Sequence, residues 1–259
     1  MFAVSPLVCL FVRQRRPEYY GLLPDGAKVE PGSEADIDGM IDRGVEYASG
    51  LQEVEFTLRQ ALRTPTYWML ITVRACQMVV FGGFTIHCIP FLTDIGIDPT
   101  VAGGMMGIMV FFTMPSRFFS GFIADRISKD RLRFLLAGAL LSQAIGIGAF
   151  LLNQTLAMVY VLLILYGFGS GATAPLNILI RGRYFGRKAY GSISGAGMVL
   201  VAPLALAAPV YAGWVYDTTG SYMTAFSLFA ALATVAAILI SFVAPPKPPA
   251  QITEIHKFM

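Results

Sequence analysis

Apolar runs about 20 residues long alternate with short polar connections through most of the chain, and this pattern predicts helices that cross a bilayer. Crossing a hydrocarbon core of about 30 Å takes about 20 apolar residues. Five stretches meet that length: 66–92, 100–122, 134–152, 157–180 and 221–243. A sixth, 191–214, holds Pro203 and Pro209 but is almost free of polar groups. Membrane helices tolerate such prolines because neighbouring groups re-satisfy the freed carbonyls. The fold expected is therefore all-α, a six-helix transmembrane bundle over residues 65–243. Residues 1–12 are an apolar stub too short to span, and they read as the end of a truncated helix whose beginning is missing. Residues 13–64 form a polar loop with Gly21, Pro24, Gly26, Pro31 and Gly32 near its start. An amphipathic surface helix is expected at the end of that loop, over 46–63, through Tyr47, Leu51, Val54, Leu58 and Leu62. Residues 244–259 are a tail in which Pro245, Pro246, Pro248 and Pro249 stop the last helix.

Composition agrees with the pattern. The chain is 56% hydrophobic and 14% charged, with a mean hydropathy of +0.64, whereas soluble domains carry about 25% charged residues. Lipid is the expected solvent.

The distribution of charge then orients the bundle. The segments 13–64, 123–133, 181–190 and 244–259 hold seven, four, four and two Lys or Arg. The alternate connections 93–99, 153–156 and 215–220 hold none, and the two remaining bases, Arg74 and Arg117, lie inside spans. Cytoplasmic loops collect Lys and Arg, so the four basic segments are expected inside, with both ends of the chain in the cytoplasm of a bacterial-type cell membrane. Cys9, Cys76 and Cys88 all sit in apolar stretches and are odd in number, which argues for inert thiols rather than a disulfide framework. Arg13, Arg15 and Arg16 follow the first apolar segment instead of preceding it, so no secretory signal is read there.

The polar residues within the spans are the candidate chemistry. Arg117 precedes the Asp125–Arg126 pair by eight residues, a depth of roughly 12 Å at 1.5 Å per residue. An arginine at membrane depth costs at least ~2.5 kcal/mol and usually lines a cavity or a substrate pathway. Arg74 lies at similar depth in the preceding span. Gln77 follows it by three residues, about 60° round the helix, so the two side chains can face one cavity. No acid occurs within the expected spans, and two uncompensated arginines suit an anion of one or two charges. Snorkelling toward the interface is the competing explanation for each. Asn177, beside Pro175, can reach a cavity where the proline loosens the backbone. His87 stands thirteen residues after Arg74, about 140° round the helix, and reads as a packed histidine. Three small-xxx-small pairs, Gly103–Gly107, Gly167–Gly171 and Gly191–Gly195, allow close helix approach. Gly167, Gly169 and Gly171 lie within an apolar span rather than after a strand, which excludes a phosphate loop.

Several loops resemble one family, the major facilitator superfamily, and within it the branch of monocarboxylate transporters and oxalate:formate antiporters. The run Arg15-Arg16-Pro17-Glu18 with Gly21 to Gly26 resembles the sequence after that branch's sixth helix. "GFIADRISKDR", from Gly121 to Arg131, resembles the superfamily loop motif G-x-x-x-D-R-x-G-R-R, with Ser128 and Lys129 where the motif has Gly and Arg. "RGRYFGRKAYGSISG" (181–195) resembles the loop between helices ten and eleven, and "GWVYDTTGSYMTAF" (213–226) the turn between helices eleven and twelve. The resemblance implies one half of a twelve-helix fold, helices seven to twelve. Gly121, Asp125 and Arg126 would then belong to the loop that latches one conformational state. Arg117 would correspond, through its spacing to Gly121, to the helix-eight arginine that binds a substrate carboxylate. The oxalate-type members carry a second cation on helix eleven, and 191–214 has no Lys or Arg.

The function expected is secondary transport of small organic anions, mono- or dicarboxylates, by alternating access, with Arg117, Arg74, Gln77 and Asn177 as substrate-binding residues. Six helices supply one wall of such a pathway, so the expected partners are an N-terminal six-helix half or a second copy, the small anion, and the lipid bilayer. A carrier for another solute such as a drug, or an inactive gene fragment, remains the alternative. An ABC-type permease subunit would need a coupling helix, for which the loops 123–133 and 181–190 leave no room. A membrane enzyme would need clustered His, Asp or Glu at depth, which the spans lack. Neither a metal, a cofactor nor nucleic acid is expected.

Overall fold

The computed structural model describes residues 55–186 and 189–247. The expected stub at 1–12, most of the loop 13–64, Arg187 and Lys188, and most of the tail lie outside these residues. The described chain is helical with no strand. A short helix, α1 (Leu58–Leu62), precedes six long ones: α2 (Pro65–Asp94), α3 (Pro99–Arg126), α4 (Leu132–Leu152), α5 (Leu156–Phe185), α6 (Tyr190–Thr219) and α7 (Met223–Phe242). All six are long and apolar enough to cross a membrane.

Local chemistry sets the helix ends. Thr64 caps α2 through the Tyr67 amide, and Asp98 caps α3 through the amides of Thr100 and Val101, with Pro65 and Pro99 as first helical residues. Helix α6 stops at Gly220, whose left-handed φ of 67° is open to a residue without a Cβ. Three helices run further than hydropathy alone predicts, α3 to Arg126, α5 to Phe185 and α6 to Thr219. Polar residues at a membrane interface can continue a helix, so Asp125, Arg181, Arg183 and Asp217 are helical rather than loop residues. Of the amphipathic helix expected over 46–63, residues 46–54 lie outside the described residues. Among the described residues it begins at Leu58, where Thr57 and Gln60 form a reciprocal capping box that ends the extended segment before it.

The packing has an internal symmetry. Helix α2 packs on α6 and α7, α5 packs on α3 and α4, and α4 packs on α7. Exchanging α2–α4 with α5–α7 reproduces the same pairs, as expected of two three-helix repeats. Short connections make consecutive helices antiparallel. One end of the bundle is therefore marked by Pro65, Arg126, Phe185 and Tyr190, and the other by Asp94, Leu152 and Thr219.

Glycine decides the closest approach. The Gly167 and Gly171 positions of α5 lie against the carbonyls of Met109 and Thr113 of α3, where a Cβ would collide with backbone. Gly103, Gly107, Gly191 and Gly195 have open space instead. Of the three expected small-residue pairs, only Gly167–Gly171 brings two helices of this bundle together. Two apolar layers fill the interior. One contains Tyr67, Leu136, Leu176 and Phe185, and the other Phe84, Phe91, Phe150, Tyr166, Phe226 and Phe229. Helices α3 and α6 are the least covered, with 17% and 22% of their most apolar stretches buried against 50% for α4 and α5. Their open faces carry Phe111, Phe118, Phe119, Leu206, Val210 and Trp214.

Candidate functional site

Contacts along α3 and α5 fix their register. Met109 lies against Gly167, Thr113 against Gly171, and Asp125 Oδ1 stands 3.7 Å from Arg183 Nη2. The offset of 58 residues is the same at all three points, so the helices run parallel and Arg117 stands level with Pro175. Helix α2 runs antiparallel to α5 and is tied to it where Gln77 Nε2 donates to Thr173 Oγ1 at 3.1 Å. At 1.5 Å of rise per residue, Arg74 then falls level with residue 176. Arg74 and Arg117 thus sit at one depth, on opposite sides of α5. Pro115 and Pro175, which each remove a helical hydrogen bond, lie close to this level.

A continuous polar ladder crosses that level. Arg74 Nη1 donates to Gln77 Oε1, and Gln77 Nε2 donates to Thr173. Thr173 Oγ1 donates to the Ser170 carbonyl (2.9 Å), Asn177 Nδ2 to the Thr173 carbonyl (2.8 Å), and Arg181 Nε to the Asn177 carbonyl (3.0 Å). Gln77, Thr173, Asn177 and Arg181 are all buried, and Arg74 is half-buried. The Arg74 Nε is buried and has no hydrogen-bond partner. Neither Arg74 nor Arg181 has a carboxylate within ion-pair distance among the described residues.

Three of the four residues expected to bind substrate therefore meet. Arg74 and Gln77 share a hydrogen bond, and Asn177 joins them through Thr173. Arg117 does not join. It is exposed on α3, where it lines an open depression of ≈ 480 Å³ with Val110, Thr113, Met114 and Phe118, and it pairs with no carboxylate among the described residues. Asp125 pairs with Arg183 on α5. Arg126 folds over the Phe122 ring at 3.4 Å and caps the Phe122 carbonyl, while Gly121 has nothing near its missing side chain. His87 is held away from the ladder by Tyr222 and the Pro209 carbonyl.

Two residues of the ladder were not expected from the sequence. Thr173 is not among the residues expected at the site, and the charge pattern places Arg181 in the basic segment 181–190. Thr173, Asn177 and Arg181 follow at intervals of four, the spacing that stacks side chains on one helix face, and that stripe was the available signal.

Several known proteins resemble parts of this chain. The profile described as "Major Facilitator Superfamily" matches residues 1–207. The chain is 26% identical over 167 residues to the "Uncharacterized transporter YycB" of Bacillus subtilis (strain 168), covering 64% of this chain and 41% of that one. It is 28% identical over 148 residues to "Monocarboxylate transporter 13" of Rattus norvegicus, covering 54% and 33%. It thus spans well under half the length of these relatives. Among solved structures, the POT family transporter PepTSo superposes with a TM-score of 0.55 at 19% identity, over 71% of this chain and 40% of that one. That likeness concerns the fold.

Proposed function

The chain belongs to the Major Facilitator Superfamily, and on that premise we propose that it is half of a secondary carrier for small organic carboxylates, working by alternating access against a second six-helix bundle. The observation that carries this reading is a pair of arginines, Arg74 and Arg117, at one depth with no carboxylate partner among the described residues. Cations held in an apolar bundle are costly and mark pathways, and a substrate that enters as an anion offsets the cost during each cycle. Guanidinium suits the task because it takes a carboxylate through two parallel hydrogen bonds.

Arg117 is the primary counter-charge in this reading. Its depression on the sparsely covered face of α3 gives it an open approach. Arg74, Gln77 and Asn177 contribute from the far side of α5. Rocking of two bundles about a central site needs a partner, either a six-helix N-terminal half or a second copy, docked on α3 and α6. The short segment around Asp125 and Arg126 acts as the conformational latch, and the basic end of the bundle faces the cytoplasm of the cell membrane. The relatives named as monocarboxylate transporters support the substrate class.

Co-reconstitution is the experiment. Proteoliposomes holding this chain alone should show no uptake of lactate, pyruvate, formate or oxalate above background. Addition of an N-terminal six-helix half should give saturable uptake of at least one of them. If the paired carrier moves a cationic or neutral drug and none of these acids, the carboxylate reading is wrong.

A further inference from the structure

Arg181 has a neighbourhood that a loop cation would not have. It lies one turn inside the end of α5, which closes at Phe185. Helical side chains lean toward the N-terminus of their own helix, and for α5 that direction leads into the bundle. The side chain follows it, since its Nε donates to the Asn177 carbonyl one turn deeper, and the residue is only 8% exposed. It therefore does not snorkel to the nearer interface.

Arg74 is tied to the same face of α5 through Gln77 and Thr173, one hydrogen-bonded ladder away, and the two charges lie close enough to act on each other. Two like charges in a poorly hydrated place repel each other and forfeit hydration. A structural arginine pair would be expected to bring a carboxylate between them, and the described residues supply none. Two further groups are left over. The Arg74 Nε and the Ser194 hydroxyl are buried without partners, and Ser194 follows Ile193, whose carbonyl takes the Tyr67 hydroxyl of α2 at 3.2 Å. A buried donor without a partner, on a cation with no carboxylate partner among the described residues, has the chemistry to bond an anion.

We propose that Arg74 and Arg181, held at a fixed separation by the Gln77–Thr173–Asn177 ladder, form a subsite for a small dianion, each guanidinium taking part of its charge. This rests on the carrier reading above and adds that the wall formed by α2 and α5 prefers two negative charges to one. A dicarboxylate and an inorganic dianion such as sulfate share the required chemistry. The ladder serves as the spacer. Gln77 engages Arg74 through its carbonyl and α5 through its amide nitrogen, while Asn177 offers its backbone carbonyl to Arg181.

Thermal unfolding of the purified full chain in lipid nanodiscs tests this without requiring transport. Malonate, acetate and sulfate are titrated at constant ionic strength against the parent and against Arg74→Gln, Arg181→Gln and Arg181→Lys. Malonate should raise the melting temperature with a midpoint at least about tenfold lower than acetate, the difference that one added ion pair of ordinary strength gives. Each Gln variant should bring that ratio below about threefold, and Arg181→Lys should keep part of it. The ratio is read within each variant, so an overall loss of stability does not mimic the effect. Sulfate acting at malonate's midpoint and losing its effect in both Gln variants supports the subsite in its inorganic form. Equal midpoints for malonate and acetate in the parent, or an unchanged ratio in Arg181→Gln, overturn the inference. Either result leaves the carrier reading intact if uptake by the paired carrier still depends on Arg117. Lost uptake with the malonate preference retained overturns the carrier reading alone.

Discussion

Gln77 on α2 donates a hydrogen bond to the hydroxyl of Thr173 on α5 across 3.1 Å, joining the corresponding helices of the two three-helix repeats. The bond is buried at both ends, with Gln77 3% and Thr173 0% exposed. It fixes the relative height of Arg74, Asn177 and Arg181, because each of those side chains bonds along its own helix to a member of this pair or to the next residue on.

Breaking that bond should loosen the whole ladder. Thr173→Val keeps the shape and removes the acceptor, leaving the Gln77 amide buried without a partner at a cost of about 1–3 kcal/mol. The melting temperature in nanodiscs should fall, and Gln77→Leu in the same background should not recover the loss, because Arg74 then loses its Gln77 acceptor as well. A Thr173→Val protein as stable as the parent would show that water replaces the bond and that the ladder is not rigid.

The approach of α3 to α5 depends on two missing side chains. Gly171→Leu places a large side chain against the Thr113 backbone, and overpacking of this kind costs typically about 1–3 kcal/mol. Gly107→Leu, where the space is open, should be tolerated. Comparing detergent-solubilised yield and melting temperature of the two variants checks the α3–α5 register, and equal losses would contradict it.

Arg117 should be indispensable to transport and dispensable to folding. In the paired carrier, Arg117→Gln should abolish carboxylate uptake and Arg117→Lys should weaken it strongly, because an ammonium gives a point charge without the two-pronged geometry. Membrane insertion should survive both changes, since the side chain is exposed and packs into nothing in this bundle. Arg74→Gln is the milder comparison. Uptake by Arg117→Gln equal to the parent at equal surface expression would make Arg117 structural.

Orientation is testable by labelling. With Cys9, Cys76 and Cys88 replaced by alanine, single cysteines at Asn153 and Thr219 should react with an impermeant reagent in intact cells. One at Lys129 should not. All three positions are exposed in the bundle, so burial does not confound the readout, and labelling at 129 would reverse the topology.

The amino-acid sequence by itself determined the class of fold and its approximate segmentation. A 20-residue apolar run in lipid has one way to satisfy its backbone, so six such runs predict six helices with little need of tertiary information. That Arg74 and Gln77 can face one side of α2 and that His87 faces another was legible for a similar reason, since each depends on helical spacing alone.

Tertiary structure decided what spacing cannot. Hydropathy cut α5 short at residue 180 because Arg181 is charged, yet the helix continues to Phe185 and turns that arginine into the bundle. Whether a cation near a helix end faces water or a neighbouring helix depends on the rotation and lean of that helix, and a one-dimensional charge count contains neither. The same holds for glycine. Three similar pairs were visible along the chain, and only Gly167–Gly171 meets another helix, because contact needs a complementary backbone at the right height. The ladder from Arg74 through Thr173 to Arg181 joins residues about a hundred positions apart, and it exists only because the fold brings Gln77 of α2 level with Thr173 of α5.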